Sequence, residues 1–206
     1  MGAAREKAVT VMRSANIKRT TTETDVEISL CLDGRGSARI TTGIGFLDHM
    51  LNHVASQGLF DLEIKAVGDL HVDQHHTIED VARALGEAFR SALGEKRRIR
   101  RYGSVIVPMD EALAGVFLDF SGRPMLVYSN VLAEKRGGHS VLDLAKVFLQ
   151  GFTDRAGVTL HVRVENAEDP HHAIEAVFKG LGRALREAVE IDSRIQGVLS
   201  TKGILE

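Results

Sequence analysis

HHTIEDVARALGEAFRSA, residues 75–92, decides how the chain is read, because it occurs twice. HHAIEAVFKGLGRALREA at 171–188, displaced by 96 residues, repeats it with ten identities in 18 positions. The identities are both histidines and the pairs Ile78/Ile174, Glu79/Glu175, Val81/Val177, Leu85/Leu181, Gly86/Gly182, Ala88/Ala184, Arg90/Arg186 and Ala92/Ala188. Asp73 and Asp169 match just upstream. Self-similarity of that density marks an internal duplication. The chain therefore reads as one domain over 1–206 built from two repeats, about 14–100 and 101–195, with no Pro/Gly/Ser-rich linker between them and a short C-terminal tail.

Both copies carry a helical period. Ile78, Val81, Ala82, Leu85 and Phe89 recur at i+3/i+4 steps, as do Ile174, Val177, Phe178, Leu181 and Leu185. Upstream the period falls to two: Leu62, Ile64, Ala66 before the first copy, and Val158, Leu160, Val162, Val164 before the second. Further strands are expected at 24–32, 37–41, 104–108, 114–120 and 124–128, and further helices at 47–56 and Val141–Ala156. Each half thus predicts strands, helix, strand, helix: an α+β fold of mixed sheets with helices packed on one face.

Composition narrows the partners. The chain has 206 residues, 44% hydrophobic and 26% charged, an ordinary globular balance. A net charge of -2 argues against a nucleic-acid partner. Cys31 is the only cysteine, so no intrachain disulfide can form. The opening MGAAREKAVTVMRSA has no apolar signal core, and no apolar run is long enough for a bilayer. The expectation is a cytoplasmic protein without membrane contact.

Nine histidines, most of them clustered, carry the chemistry. On a helix His75 and Glu79 are i,i+4 neighbours and His76 and Glu79 are i,i+3. Adjacent His75 and His76 point about 100° apart, so they suit two ions on different sides better than one. His171, His172 and Glu175 repeat the arrangement. Imidazole and carboxylate without thiolate suit Mn, Fe, Co, Ni or Zn. A single HHxxE reads as a helix start; its recurrence at equivalent repeat positions favours metal. His49 in GIGFLDHML is a further candidate ligand opening its helix, while His53, one turn on, reads as either ligand or structural residue. His71 and His139 read as exposed residues, and His161 as a strand residue or a partner behind the ligands. For anions there are three candidates: the run Lys96, Arg97, Arg98, Arg100, Arg101, read as mainly solvated; Arg123 in SGRP; and Ser200-Thr201-Lys202-Gly203.

GIGFLDHML (43–51), DQHHTIED (73–80), RYG (101–103), VPMDEAL (107–113), SGRP (121–124), TLHV (159–162), HHAIEAVFKGLGRAL (171–185) and STKG (200–203) resemble, in order, the signatures of imidazoleglycerol-phosphate dehydratases. The resemblance covers nearly the whole chain from about residue 14. It implies a two-half fold like the second domain of ribosomal protein S5, and removal of water from D-erythro-1-(imidazol-4-yl)glycerol 3-phosphate in histidine biosynthesis, with the substrate bound as imidazolate. It also implies two Mn2+ per active site and 24 subunits with metal at their interfaces. The metal ligands it implies are His49, His75, His76, Glu79, His171, His172 and Glu175, with Glu79, Glu175, His76 and Glu23 acting in catalysis. Substrate contacts fall on Glu23, His49, Arg101, Arg123, Ser200, Thr201 and Lys202. Three positions depart from the family pattern: Val147 and Gln57 stand where histidines are usual, and Leu199 where a proline is.

The chemistry fits the donors. The C2 proton of the substrate is not acidic, and hydroxide is a poor leaving group at C3, so a Lewis acid on the ring and a proton-transfer group such as Glu23 are needed. A metal-dependent hydrolase and an inactive metal-stapled paralogue are the competing readings; assaying ketone formation against phosphate release separates the first, and a manganese titration followed by a single-turnover assay decides the second.

Overall fold

The computed structural model describes residues 12–132 and 141–205; His139 lies outside them. The first half runs β1 (Ser14–Thr20), β2 (Thr24–Cys31), β3 (Ala38–Thr41), α1 (Gly45–Gly58), β4 (Asp61–Gly68), α2 (His75–Leu93). The second runs β5 (Tyr102–Met109), β6 (Ala112–Asp119), β7 (Met125–Asn130), α3 (Val141–Ala156), β8 (Thr159–Asn166), α4 (Pro170–Val189). The sheets have one topology, β1-β2-β4-β3 and β5-β6-β8-β7, antiparallel except for the parallel pairs β3/β4 and β7/β8. Register repeats too: Val26 faces Ala66 in one sheet, Ala114 faces Val164 in the other.

Alternation explains the strands. Val26, Ile28 and Leu30 turn inward on β2 and are at most 2% exposed, while Asp25, Glu27 and Ser29 face out. The helices cover the inner faces: α2 packs on β1 and β2, α4 on β5 and β6. The helices also cross between halves, α1 against α4 and α2 against α3. The result is two sheets with four helices between them, and the expected α+β architecture of two similar halves holds. Close crossing depends on glycine. A Cβ on Gly182 would lie 2.7 Å from the Val54 carbonyl oxygen, and one on Gly86 2.5 Å from that of Phe152. These are the same contact made twice, because Gly86 and Gly182 are repeat partners and so are Val54 and Phe152.

β1 has no sequence forecast, since SANIKRT places only Ala15, Ile17 and Arg19 on its inner side. Arg19 reaches Asp80 on α2 at 2.9 Å, and Thr24 donates to the other Asp80 oxygen at 2.6 Å. A polar tie does there what apolar residues do elsewhere. Among the described residues no helix is long and apolar enough to cross a membrane.

Candidate metal centre and phosphate pocket

The histidine pairs open α2 and α4, as their spacing requires. Asp73 and Asp169 accept the backbone N–H of His75 at 2.6 Å and of His171 at 2.8 Å. In both copies the paired rings have centroids 6.2 Å apart and planes at 81°. Each pair therefore sends its two imidazoles different ways.

The first imidazole of the α4 pair enters a cluster. His171 Nε2 lies 3.1 Å and His49 Nε2 3.4 Å from Glu175 Oε2. All three ligand atoms fall within 4.8 Å of one another, the single such group of three among the described residues. His49 comes from the second turn of α1, since that helix starts at Gly45 rather than at 47. His53 Nε2 stands 3.3 Å from His49 Nε2 and 3.4 Å from Glu175 Oε1, and Lys179 Nζ is 2.7 Å from that oxygen. Burial works against ionising the Glu175 carboxyl, but the Lys179 hydrogen bond, the charges of His53 and Lys179 and the His49 hydrogen bond outweigh it and hold it at about 2. A carboxylate kept ionised beside two ring nitrogens fits a borderline divalent cation.

The second imidazole of each pair is gripped by acids. His76 Nδ1 lies 3.0 Å from Asp69 and 3.8 Å from Glu23; His172 Nδ1 lies 2.8 Å from Glu111. A carboxylate at Nδ1 makes that nitrogen the donor and leaves the Nε2 lone pair for a ligand. Those hydrogen bonds raise the pKa of His76 and of His172. Glu111 also accepts the N–H groups of Asp169 and Glu168, and with His172 these lower it to about 2. His75 is exposed, and Glu79 pairs with Arg83 at 2.9 Å. The two HHxxE motifs thus do not share one cluster inside a chain.

The anion candidates converge. Arg101, Arg123, Arg194, Ser200, Thr201 and Lys202 line a cavity of about 860 Å³. Arg101 is held by Asp119 at 2.6 and 2.9 Å and by the Leu199 carbonyl at 2.8 Å, which leaves two of its five N–H donors for a ligand. Any residue at 199 supplies that carbonyl, so the absent proline removes no contact. The basic run is less solvated than its composition suggests, because Lys96 is 8% exposed. Gln57 sits eight residues along α1 from His49, about 12 Å away, among Arg100, Arg183 and Arg186, so it does not enter the cluster. His161 is a half-buried strand residue between the inward Leu160 and Val162 and turns to the other face of β8. Sequence reasoning passed over Lys179, four residues on from Glu175, and Asp69 and Glu111, whose partners are distant in the chain.

The profile of the imidazoleglycerol-phosphate dehydratase family matches residues 42–185. The imidazoleglycerol-phosphate dehydratase of Acetivibrio thermocellus is 52% identical over 193 residues, covering 94% of this chain and 99% of its own. That of Methylorubrum extorquens is 53% identical over 195 residues, covering 94% and 100%. The crystal structure of the Staphylococcus aureus dehydratase superposes with a TM-score of 0.76 at 33% identity, over 87% of this chain and 99% of that one. The Pyrococcus furiosus structure gives 0.76 at 36%, over 92% and 100%.

Proposed function

The chain belongs to the imidazoleglycerol-phosphate dehydratase family, and from that premise we propose that His49, His171 and Glu175 hold the divalent cation on which its reaction depends. The reaction is the loss of water from imidazoleglycerol phosphate, a hydro-lyase step of histidine biosynthesis. The His49/His171/Glu175 cluster carries the metal reading. Manganese, two ions per active site and an assembly of 24 copies complete it.

When bound, the cation supplies Lewis acidity that favours the deprotonated imidazole ring of the substrate. The remaining work falls to side chains. Glu23, half exposed beside His76, is placed to move a proton or hold a hydroxyl. Asp69 and Glu111 fix the tautomers of His76 and His172. Arg101, Arg123, Ser200, Thr201 and Lys202 orient the phosphate.

Distance supports a site shared between copies. The Arg101 N–H bonds the Ala188 carbonyl near the end of α4, whereas His171 stands at its start. Seventeen residues of helix separate them by about 25 Å. That exceeds the reach of a three-carbon phosphate ester bearing one imidazole. The cation of one chain and the phosphate pocket of another then serve one substrate.

Glu175→Ala and His76→Ala, stripped with chelator and given manganese again, are expected to lose ketone formation by at least about 10³-fold, roughly 4 kcal/mol of barrier, and to lose metal-linked assembly. Wild-type rates in either variant would contradict the assignment.

A further inference from the structure

The duplication provides an internal control on metal binding. A shift of 98 residues carries β4 onto β8 and the end of α1 onto the end of α3. The same shift takes Val54 to Phe152, and the matched glycine contacts of these two residues confirm the register. His49 then corresponds to Val147 and His53 to Gly151. On the facing helices, His171 corresponds to His75, Glu175 to Glu79 and Lys179 to Arg83.

The two clefts are therefore the same construction with different donors. Between α1 and α4, two imidazoles of α1 face His171 and Glu175, and the carboxylate is 8% exposed. In the α2/α3 cleft, His75 and Glu79 lie on α2, and the helix packed against it has neither histidine nor cysteine in its sequence. Val147 is half-buried and packs into the core, and a Cβ on Gly151 would lie 3.1 Å from the Glu79 carbonyl oxygen. Glu79 is 34% exposed, and its carboxylate is taken by Arg83.

Building on the metal reading above, we infer that the two repeat-related sites are unequal: the α1/α4 cleft is the high-affinity cation site of this chain, and the α2/α3 cleft, with Val147 in place of an imidazole, is a low-affinity one. Both retain one imidazole and one carboxylate on the pair-bearing helix, so the difference in donors rests on the opposite helix, and the greater exposure of Glu79 adds to it. It makes the second cation the exchangeable one, set by the ambient concentration of free metal.

The test is manganese titration of the chelator-stripped full-length protein by calorimetry, with bound metal counted after gel filtration. The wild type is expected to retain one tight equivalent per chain and to fill a second at least about tenfold more weakly, the low end of what even an outer partner of a ligand contributes. Val147→His supplies the missing imidazole and should bring the second equivalent within about threefold of the first. His49→Val makes the first cleft resemble the second; His49 is half exposed, so this variant keeps the fold and should lose the tight equivalent. Two equally tight equivalents in the wild type would overturn the inequality and leave the metal assignment standing. A tight equivalent that survives His49→Val would place the strong site elsewhere and overturn it as well. A wild type that retains no manganese would overturn both readings.

Discussion

Glu111 shows what a single residue does when a duplicated site diverges. It precedes β6 as Glu23 precedes β2, so the two glutamates are repeat partners. In the second half Glu111 takes the His172 Nδ1 hydrogen bond and two backbone N–H groups. In the first half Asp69 takes the equivalent hydrogen bond from His76, leaving Glu23 at 3.8 Å and half exposed. One glutamate is committed to position an imidazole; the other keeps the exposure that its proposed contact with substrate requires. The fixed one also has a pH signature. Its carboxyl stands at about 2 against 4.5 in the unfolded chain, so its contribution to stability is complete above 4.5 and is lost as pH falls through the folded value. Denaturation midpoints measured from about pH 6 down to about pH 2 should decline less steeply in Glu111→Gln than in the wild type. An unchanged slope would mean that the carboxylate is not held as described. The HHxxE motifs were legible because helical spacing alone brings i and i+4 together. The grip on His172 was not, since 61 residues separate it from Glu111 and only the β6–α4 packing joins them.

At the level of elements, what could be read in advance followed periodicity. Strands β2 and β4 and helices α2 and α4 alternate or repeat apolar residues cleanly, and their ends fell within a few residues of the forecast. β1 was invisible because an edge strand needs apolar residues on only part of one face, and it uses Arg19 to Asp80 for its inward contact. How helices pair between halves was equally hidden, for periodicity says which face of a helix is buried and not against what. Gly86 and Gly182 record that pairing. Gly86→Ala gains roughly 1 kcal/mol of helix propensity. It also drives a methyl group to 2.5 Å from a backbone carbonyl that cannot rotate away, an overpacking cost in the upper part of the usual range, about 2–3 kcal/mol. A net loss of about 1–2 kcal/mol, a melting temperature lower by about 2–8 °C, is expected in thermal unfolding. A variant as stable as the wild type would show that α2 and α3 do not approach so closely.

For the whole molecule, repeat symmetry disclosed two halves, but only the fold shows that the His49/His171/Glu175 cluster and the Arg101 cavity lie at opposite ends of α4. Position along a helix was in the sequence; that Arg101 doubles back onto Ala188 was not, because this return uses a left-handed residue, φ 73° at Arg101, after the basic run. A length of helix thus becomes a statement about genetics in a test tube. Two dead proteins, Glu175→Gln and Arg101→Met, each keep the half of the apparatus that the other has spoiled. Dissociated, mixed in equal amounts and allowed to reassemble, they should revive to about a quarter of the wild-type rate, since each head-to-tail site draws its two contributors at random from the pool. A mixture as inert as its parents would confine the reaction to single chains, where α4 is too long for it.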